Sequence, residues 1–262
     1  MRSKVANWLT LAGILAFAAC ADVPALPPVP QYDQAQLEAI QMRAVLVAGD
    51  PGLPVFDNAA AGMGAWLRTR AGVAPDGITR LSASPAVIAQ QGAGVTSWSN
   101  VLQAVEDLRP SAGQGCLVFI TSHGIRGAGI VLSPGGVLSP EELDKALVRG
   151  CGNSPTVVII SACYSGGFAR PPMTRANRIV MTAARPDRTS FGCRAGATYT
   201  FFDECLLGAL RHAQNWRGVF EATVACVERR ESAGNYIPSE PQASFGPAVA
   251  DMPLPAGRPG GS

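Results

Sequence analysis

Between residues 44 and 183 the chain alternates short, nearly continuous apolar runs with longer segments of helical periodicity, and this alternation limits its fold more than any other feature. A strand that is apolar at every position must be covered on both faces, and helices placed between successive strands do that. The runs are Ala44-Val-Leu-Val-Ala48, Ile78 to Leu81, Cys116-Leu-Val-Phe-Ile-Thr121, Thr156-Val-Val-Ile-Ile160 and Arg178-Ile-Val-Met-Thr-Ala183, with Ser244-Phe245 as a last short strand. Helices are expected from about Asn58, read as an N-cap, to Arg70, from Thr96-Ser97 through Leu108, and from Ser139-Pro-Glu-Glu142, a capping box with proline at the first helical position, to about Arg149. Two more, Tyr199 to Ala213 and Trp216 to Glu231, meet near Gln214-Asn215. Residues 127–138, with Ser133-Pro-Gly-Gly136 between two apolar stubs, read as a hairpin excursion. The expected fold is an α/β three-layer sandwich around a central, mostly parallel six-stranded sheet.

The N-terminus has a different character. Met1 to Lys4 is positively charged and Val5 to Ala19 is apolar but short for a membrane span, which reads as a secretory signal peptide. It ends Phe17-Ala-Ala-Cys20, small residues followed by cysteine as in a lipobox, and Val23 to Pro30 holds four prolines in eight residues, as a semi-rigid tether would. The organisation expected is a signal peptide over 1–19, a lipidated Cys20 and tether over 20–40, one domain over 41–250 and a disordered Pro/Gly-rich tail over 251–262. The protein is thus expected as an exported lipoprotein at the periplasmic face of a Gram-negative cell membrane. Plain cleavage before Ala19, with Cys20 unmodified, is the alternative.

Without Arg2 and Lys4 the 21 basic residues fall to 19, equal to the 19 acidic ones, and Lys145 is the one lysine remaining. Such a balance excludes a nucleic-acid footprint. Seven cysteines in an exported chain invite disulfides. With Cys20 and Cys163 set aside, Cys116, Cys151, Cys193, Cys205 and Cys226 allow at most two bridges. Cys116 opens one strand and Cys151 shortly precedes the next, so parallel strands would bring both to one sheet edge. No cysteine or histidine has zinc-site spacing, and no metal or cofactor is expected.

The chemistry lies at the ends of two consecutive strands, one running into Ser122-His123-Gly124 and the next into Ser161-Ala-Cys163-Tyr-Ser-Gly-Gly167. Carboxyl ends of neighbouring strands in an open α/β sheet form a crevice, so His123 and Cys163 should face one cleft. A thiol attacks as thiolate, and an imidazole in reach serves as its base and later protonates a leaving amine. The backbone amides of Gly124 and Cys163 are candidates for an oxyanion site.

The segments Val45-Leu-Val-Ala-Gly49, Phe119-Ile-Thr-Ser-His-Gly124, Val158-Ile-Ile-Ser-Ala-Cys-Tyr-Ser-Gly166 and Thr182 to Cys193 resemble the legumain family of cysteine peptidases, bacterial branch, within the caspase-like clan. The resemblance implies a caspase-type sheet, a nucleophile at Cys163, an acid/base at His123, an oxyanion hole at the Gly124 and Cys163 amides, and a primary pocket lined in part by Ser161 and Ser190. The implied activity is that of an endopeptidase, or of a transpeptidase using the same thioester, with a polypeptide as substrate. A catalytically silent scaffold or peptide-binding protein of the same fold is the competing reading, and retention of both Cys163 and His123 speaks against it.

The chain also departs from the family. Ser122 stands where legumain has an acid, and the asparagine that supports the histidine falls on Val55. The Arg-His pair lining the asparagine-specific pocket falls on Asp57-Asn58. Asp57 is read either as a pocket carboxylate or as a turn and capping residue. In the pocket it would favour a basic residue at the cleavage position, provided no arginine neutralises it; Arg185 and Arg188 are the arginines considered.

Overall fold

Eight-residue β1 (Gln41–Ala48) and β4 (Gln114–Thr121) lie side by side in parallel at the centre of the sheet. In a computed structural model that describes residues 28–257, the chain passes through α1 (Gln34–Glu38), β1, α2 (Val55–Thr69), β2 (Ile78–Ser82), α3 (Pro85–Gln91), β3 (Gly94–Val95) and α4 (Trp98–Glu106) before reaching β4. It continues through β5 (Gly124–Ile125), β6 (Gly129–Val131), β7 (Val137–Leu138), α5 (Pro140–Cys151), β8 (Thr156–Ser161) and β9 (Arg178–Thr182). It ends with α6 (Phe201–Ala209), α7 (Trp216–Ala233) and β10 (Gln242–Phe245). The sheet order is β10-β9-β8-β4-β1-β2-β3, with only β10 antiparallel to its neighbour. The fold is thus the expected α/β sandwich around a mostly parallel sheet, with seven strands rather than six. The added strand is β3, whose two residues carry no apolar run for a sequence to reveal.

Successive strand residues serve opposite faces, as the pleat requires. Leu46, Phe119 and Ile159 point to the side covered by α2, α6 and α7, whereas Val47, Ile120 and Ile160 point to the side of α4 and α5. The residues Phe202, Leu206 and Leu210 are buried in the first of these cores, which is the packing role their spacing indicates.

Several boundaries move. Helix α2 starts earlier than expected, with Pro54 as N-cap, so Asn58 lies within the first turn and its Nδ2 donates to the Thr198 carbonyl at 3.0 Å. The expected tether does not extend to residue 40: Asp33 caps α1 through a capping box, and Leu37 and Ile40 are buried in the core. Nor is the tail loose from residue 251, since Met252 is buried and accepts from the Trp216 amide, and the Leu254 amide donates to Gln214. Apolar residues among the prolines hold both ends down. The expected signal peptide and Cys20 lie outside the described residues.

Cys116 and Cys151 form a disulfide with Cα atoms 6.2 Å apart, as their shared sheet edge leads one to expect. Cys205 and Cys226 join α6 to α7. Asp144 of α5 meets Arg175 at 2.7 Å and the fully buried Arg178 at 2.9 Å. Burial opposes the charge on Asp144, but hydrogen bonds and charge from the two arginines outweigh it and hold the carboxyl below its usual range.

Candidate active site

The strand order reverses between β1 and β4: from β1 the chain moves to β2 and β3, and from β4 it moves the other way to β8 and β9. Ligands of open α/β sheets bind at such a switch point, outside the carboxyl ends of the strands. Three loops meet there, Gly49 to Pro54 after β1, Ser122 to Gly124 after β4, and Ala162 to Gly166 after β8.

The second and third loops are held in register. Thr121 and Ser161 are the last paired residues of β4 and β8, so His123 and Cys163 each lie two residues beyond a matched pair, and the Ser122 amide still donates to the Ser161 carbonyl at 3.1 Å. Gly124 then passes so close to the next loop that a Cβ would overlap the Cys163 carbonyl oxygen. Only glycine allows that approach.

The short sheet β5-β6-β7 clamps the first two loops. The Val131 amide donates to the His123 carbonyl at 2.9 Å, Ser122 Oγ donates to the Val131 carbonyl at 2.7 Å, and the Ser133 amide donates to Gly49 at 2.8 Å. Ser133 Oγ also donates to Asp50 Oδ2 at 3.0 Å, while Asp50 Oδ1 accepts from the Gly52 amide at 2.8 Å and lies 3.9 Å from His123 Nε2. The Phe56 ring and the imidazole form a T-shaped pair, centroids 5.1 Å apart. Asp50 thus stands beside the histidine, and Val55 opens α2 in the core.

Cys163 is a free, partly buried thiol. Its sulfur accepts from the Ser190 amide at 3.3 Å and lies 3.7 Å from Ser190 Oγ, so the loop after β9 sits against it. Tyr164, the next residue, takes a left-handed conformation at φ 57° and its amide donates to the Arg188 carbonyl at 2.8 Å.

Ser161 ends β8, buried, facing the carboxylate of Asp203 on α6. Thr121 Oγ1 donates to Asp203 Oδ2 at 2.8 Å. Burial pushes the fully buried Asp203 carboxyl up to about 6, although hydroxyls of Ser161, Thr121 and Thr200 resist that rise. Cys193, the other free thiol among the described residues, is pushed up to about 12 by burial and by the nearby charges of Asp203 and Cys163. It stays a neutral thiol at any physiological pH.

Residues 106–217 match the family model of the Peptidase C13 family, a span that contains both strand ends. Caspase-1 from Spodoptera frugiperda superposes with a TM-score of 0.60 at 13% identity, over 85% of this chain and 94% of that one, which speaks for the fold. No curated protein matches. The segment 106–217 is thus similar to the Peptidase C13 family, and the fold is caspase-like.

The expected site divides. The loop of His123 and Gly124 packs against the Cys163 loop, Ser190 sits against the Cys163 sulfur, and Ser161 faces Asp203. Asp57 does not join them as a free pocket carboxylate. It is buried in the first turn of α2, where Arg80 contacts its Oδ1 at 3.3 Å and its carbonyl at 3.2 Å. The neutralising arginine is Arg80 from β2, while Arg185 pairs with Asp187 and Glu240 and Arg188 with Glu240. Two residues of the site do not stand out in the sequence. Asp50 sits in a Gly-Asp-Pro-Gly stretch that reads as a turn, and Asp203 sits in an apolar helix whose core role masks it. For Asp203 the available signal is a lone acid on a helix face otherwise made of Phe202, Leu206 and Ala209.

Proposed function

We propose that this protein is a cysteine endopeptidase that works through Cys163 and His123. The Cys163 thiolate adds to the scissile carbonyl, and the amides of Gly124 and Cys163 stabilise the oxyanion. Imidazolium at His123 protonates the leaving amine, giving a thioester. Water then attacks, losing its proton to His123, and the carboxylic acid leaves as the thiolate reforms. An amine in place of water gives transpeptidation by the same steps. What supports this reading is the parallel register in which Thr121 and Ser161 are partners, two residues before His123 and Cys163. Asp50 is a positioning residue: anchored by Gly52 and Ser133, its carboxylate attracts the imidazolium and limits how far the ring can turn.

A basic residue at the cleavage position remains the favoured substrate feature, through Asp203 in place of Asp57. Arg80 cancels Asp57, whereas among the described residues no arginine or lysine pairs with Asp203. At neutral pH a carboxyl titrating near 6 is mostly ionised, and its field acts through a low-dielectric interior at the ends of β4 and β8. A fluorogenic panel differing only at that position tests both statements. Hydrolysis after Arg or Lys should exceed that after Asn, the preference should collapse in Asp203→Asn and survive in Asp57→Asn, and turnover should vanish in Cys163→Ala. Selective cleavage after Asn or Asp contradicts the basic preference, and turnover retained by Cys163→Ala contradicts the mechanism.

The N-terminal sequence supports an exported enzyme tethered to the periplasmic face of the membrane through a lipidated Cys20. Metabolic incorporation of a clickable fatty acid should label the wild type and not Cys20→Ala; label that persists in the variant rules the anchor out.

A further inference from the structure

The described chain enters and leaves the domain at the end of the sheet opposite Cys163 and His123. Asn153, in the turn between α5 and β8, donates from Nδ2 to the Pro28 carbonyl at 3.2 Å, and its own carbonyl accepts from the Tyr32 hydroxyl at 2.9 Å. The Gln41 amide donates at 3.0 Å to the carbonyl of Gly113, which immediately precedes β4, so β1 and β4 start side by side. The other end returns to the same face. The Gly257 amide donates at 2.7 Å to the carbonyl of Arg70, the C-cap of α2, and the far end of that helix carries Phe56 against His123. Strands β1, β4 and β8 run parallel, so these contacts gather at their amino ends, while the loops of Asp50, His123 and Cys163 leave their carboxyl ends. At about 3.3 Å per residue, β8 and its flanking turns set Asn153 and Cys163 on the order of 25 Å apart.

The length of chain before Pro28 turns this placement into a constraint. Cys20 lies eight residues ahead of Pro28. Whatever conformation those residues take, they span at most about 29 Å. Peeling does not lengthen the tether much, because Tyr32 packs against the first core, Asp33 caps α1, and Leu37 and Ile40 are buried. A globular domain of this length is about 45 Å across. Pressing the cleft onto a bilayer would raise Pro28 to about that height, beyond the reach of a chain fixed at Cys20. The domain can stand on its anchored end or lean over, but it cannot turn its cleft to the lipid.

We propose that the anchored enzyme holds its active site on the side turned away from the bilayer, so that its substrates are exported polypeptides cut at segments standing clear of the membrane, and not the stretches that adjoin a membrane span. The short tether then acts as a filter. It gathers the enzyme at the membrane while withholding from it the residues nearest the lipid. This assignment rests on the reading of a lipid-anchored peptidase and deepens it by naming the part of a substrate that the site reaches.

The lipidated full-length enzyme, reconstituted in phosphatidylcholine vesicles and checked by intact mass for lipid on Cys20, tests it with two peptides anchored in the same vesicles. Both carry the cleavage residue that the fluorogenic panel selects. In one the cleavage site stands directly beside the lipid, and in the other a flexible Gly/Ser spacer of about thirty residues, roughly 30 Å in root-mean-square length, separates them. The wild type should cut the spaced peptide at least tenfold faster. Inserting a Gly/Ser stretch of about thirty residues between Asp22 and Val23 frees the domain to turn over and should bring the two rates within about threefold, a gain that a misfolded variant cannot produce. Equal rates in the wild type, or a ratio that the insertion leaves unchanged, overturn the orientation while leaving the anchored peptidase standing. Cys20 found without lipid overturns the orientation and the anchor together, and absence of cleavage of both peptides overturns the orientation and the peptidase.

Discussion

Asp50 owes its place beside His123 to a short-range device: its side chain accepts from the Gly52 amide two residues on and from Ser133, so the carboxylate is fixed before the histidine meets it. A residue that orients an acid/base group affects turnover more than binding, and misplacement by an ångström can cost on the order of a hundredfold. Asp50→Ala is accordingly expected to lower kcat about tenfold to a hundredfold with little change in KM, and to move the pH profile of kcat, with Asp50→Asn partly restoring it. Steady-state kinetics across the neutral pH range decide this: a rise in KM at unchanged kcat and pH profile would show that Asp50 only shapes the loop. The strand ends that carry His123 and Cys163 are legible in the sequence because reactive residue types at such positions are rare enough to stand out. Asp50 is not, since a carboxylate between glycines and prolines has a sufficient local explanation as a turn residue.

Elements explain why the loops meet. The excursion between β5 and β7 carries Ser133 onto both Asp50 and Gly49, so a segment that reads as decoration from its turn residues braces the site. At the opposite end of the sheet Cys116 at the start of β4 is joined to Cys151 at the end of α5. A bridge closing a loop of this separation, 35 residues, should contribute about 3–4 kcal/mol by restricting the unfolded chain. Urea unfolding of the Cys116→Ser/Cys151→Ser double variant is expected to show that loss with the labelling of Cys163 intact. An unchanged midpoint would mean that the bridge carries no stability. Helix α3 and strand β3 are hidden at this scale because a seven-residue helix and a two-residue strand leave too few apolar positions to mark a period.

At the scale of the whole molecule, apolar runs reveal the parallel sheet and its order of helices, because a strand buried on both faces has few other sequences open to it. Side-chain pairing over long separations stays hidden. Arg80 reaches Asp57 from 23 residues away and Thr121 reaches Asp203 from 82, and no local pattern announces either. The same separation explains the error over Asp57: a loop position is inferred from its neighbours, while its partner arrives on another strand. The central claim is that the loops after β4 and β8 make one thiol a nucleophile. Two free cysteines among the described residues make this directly measurable, since Cys193 is partly buried and held neutral. Intact-mass and peptide mass spectrometry of the full chain treated with a substoichiometric peptidyl electrophile should find a single adduct, on Cys163, formed far more slowly in His123→Ala; an adduct on Cys193 instead, or Cys163 reacting no faster than a simple exposed thiol and indifferent to His123, would contradict the account.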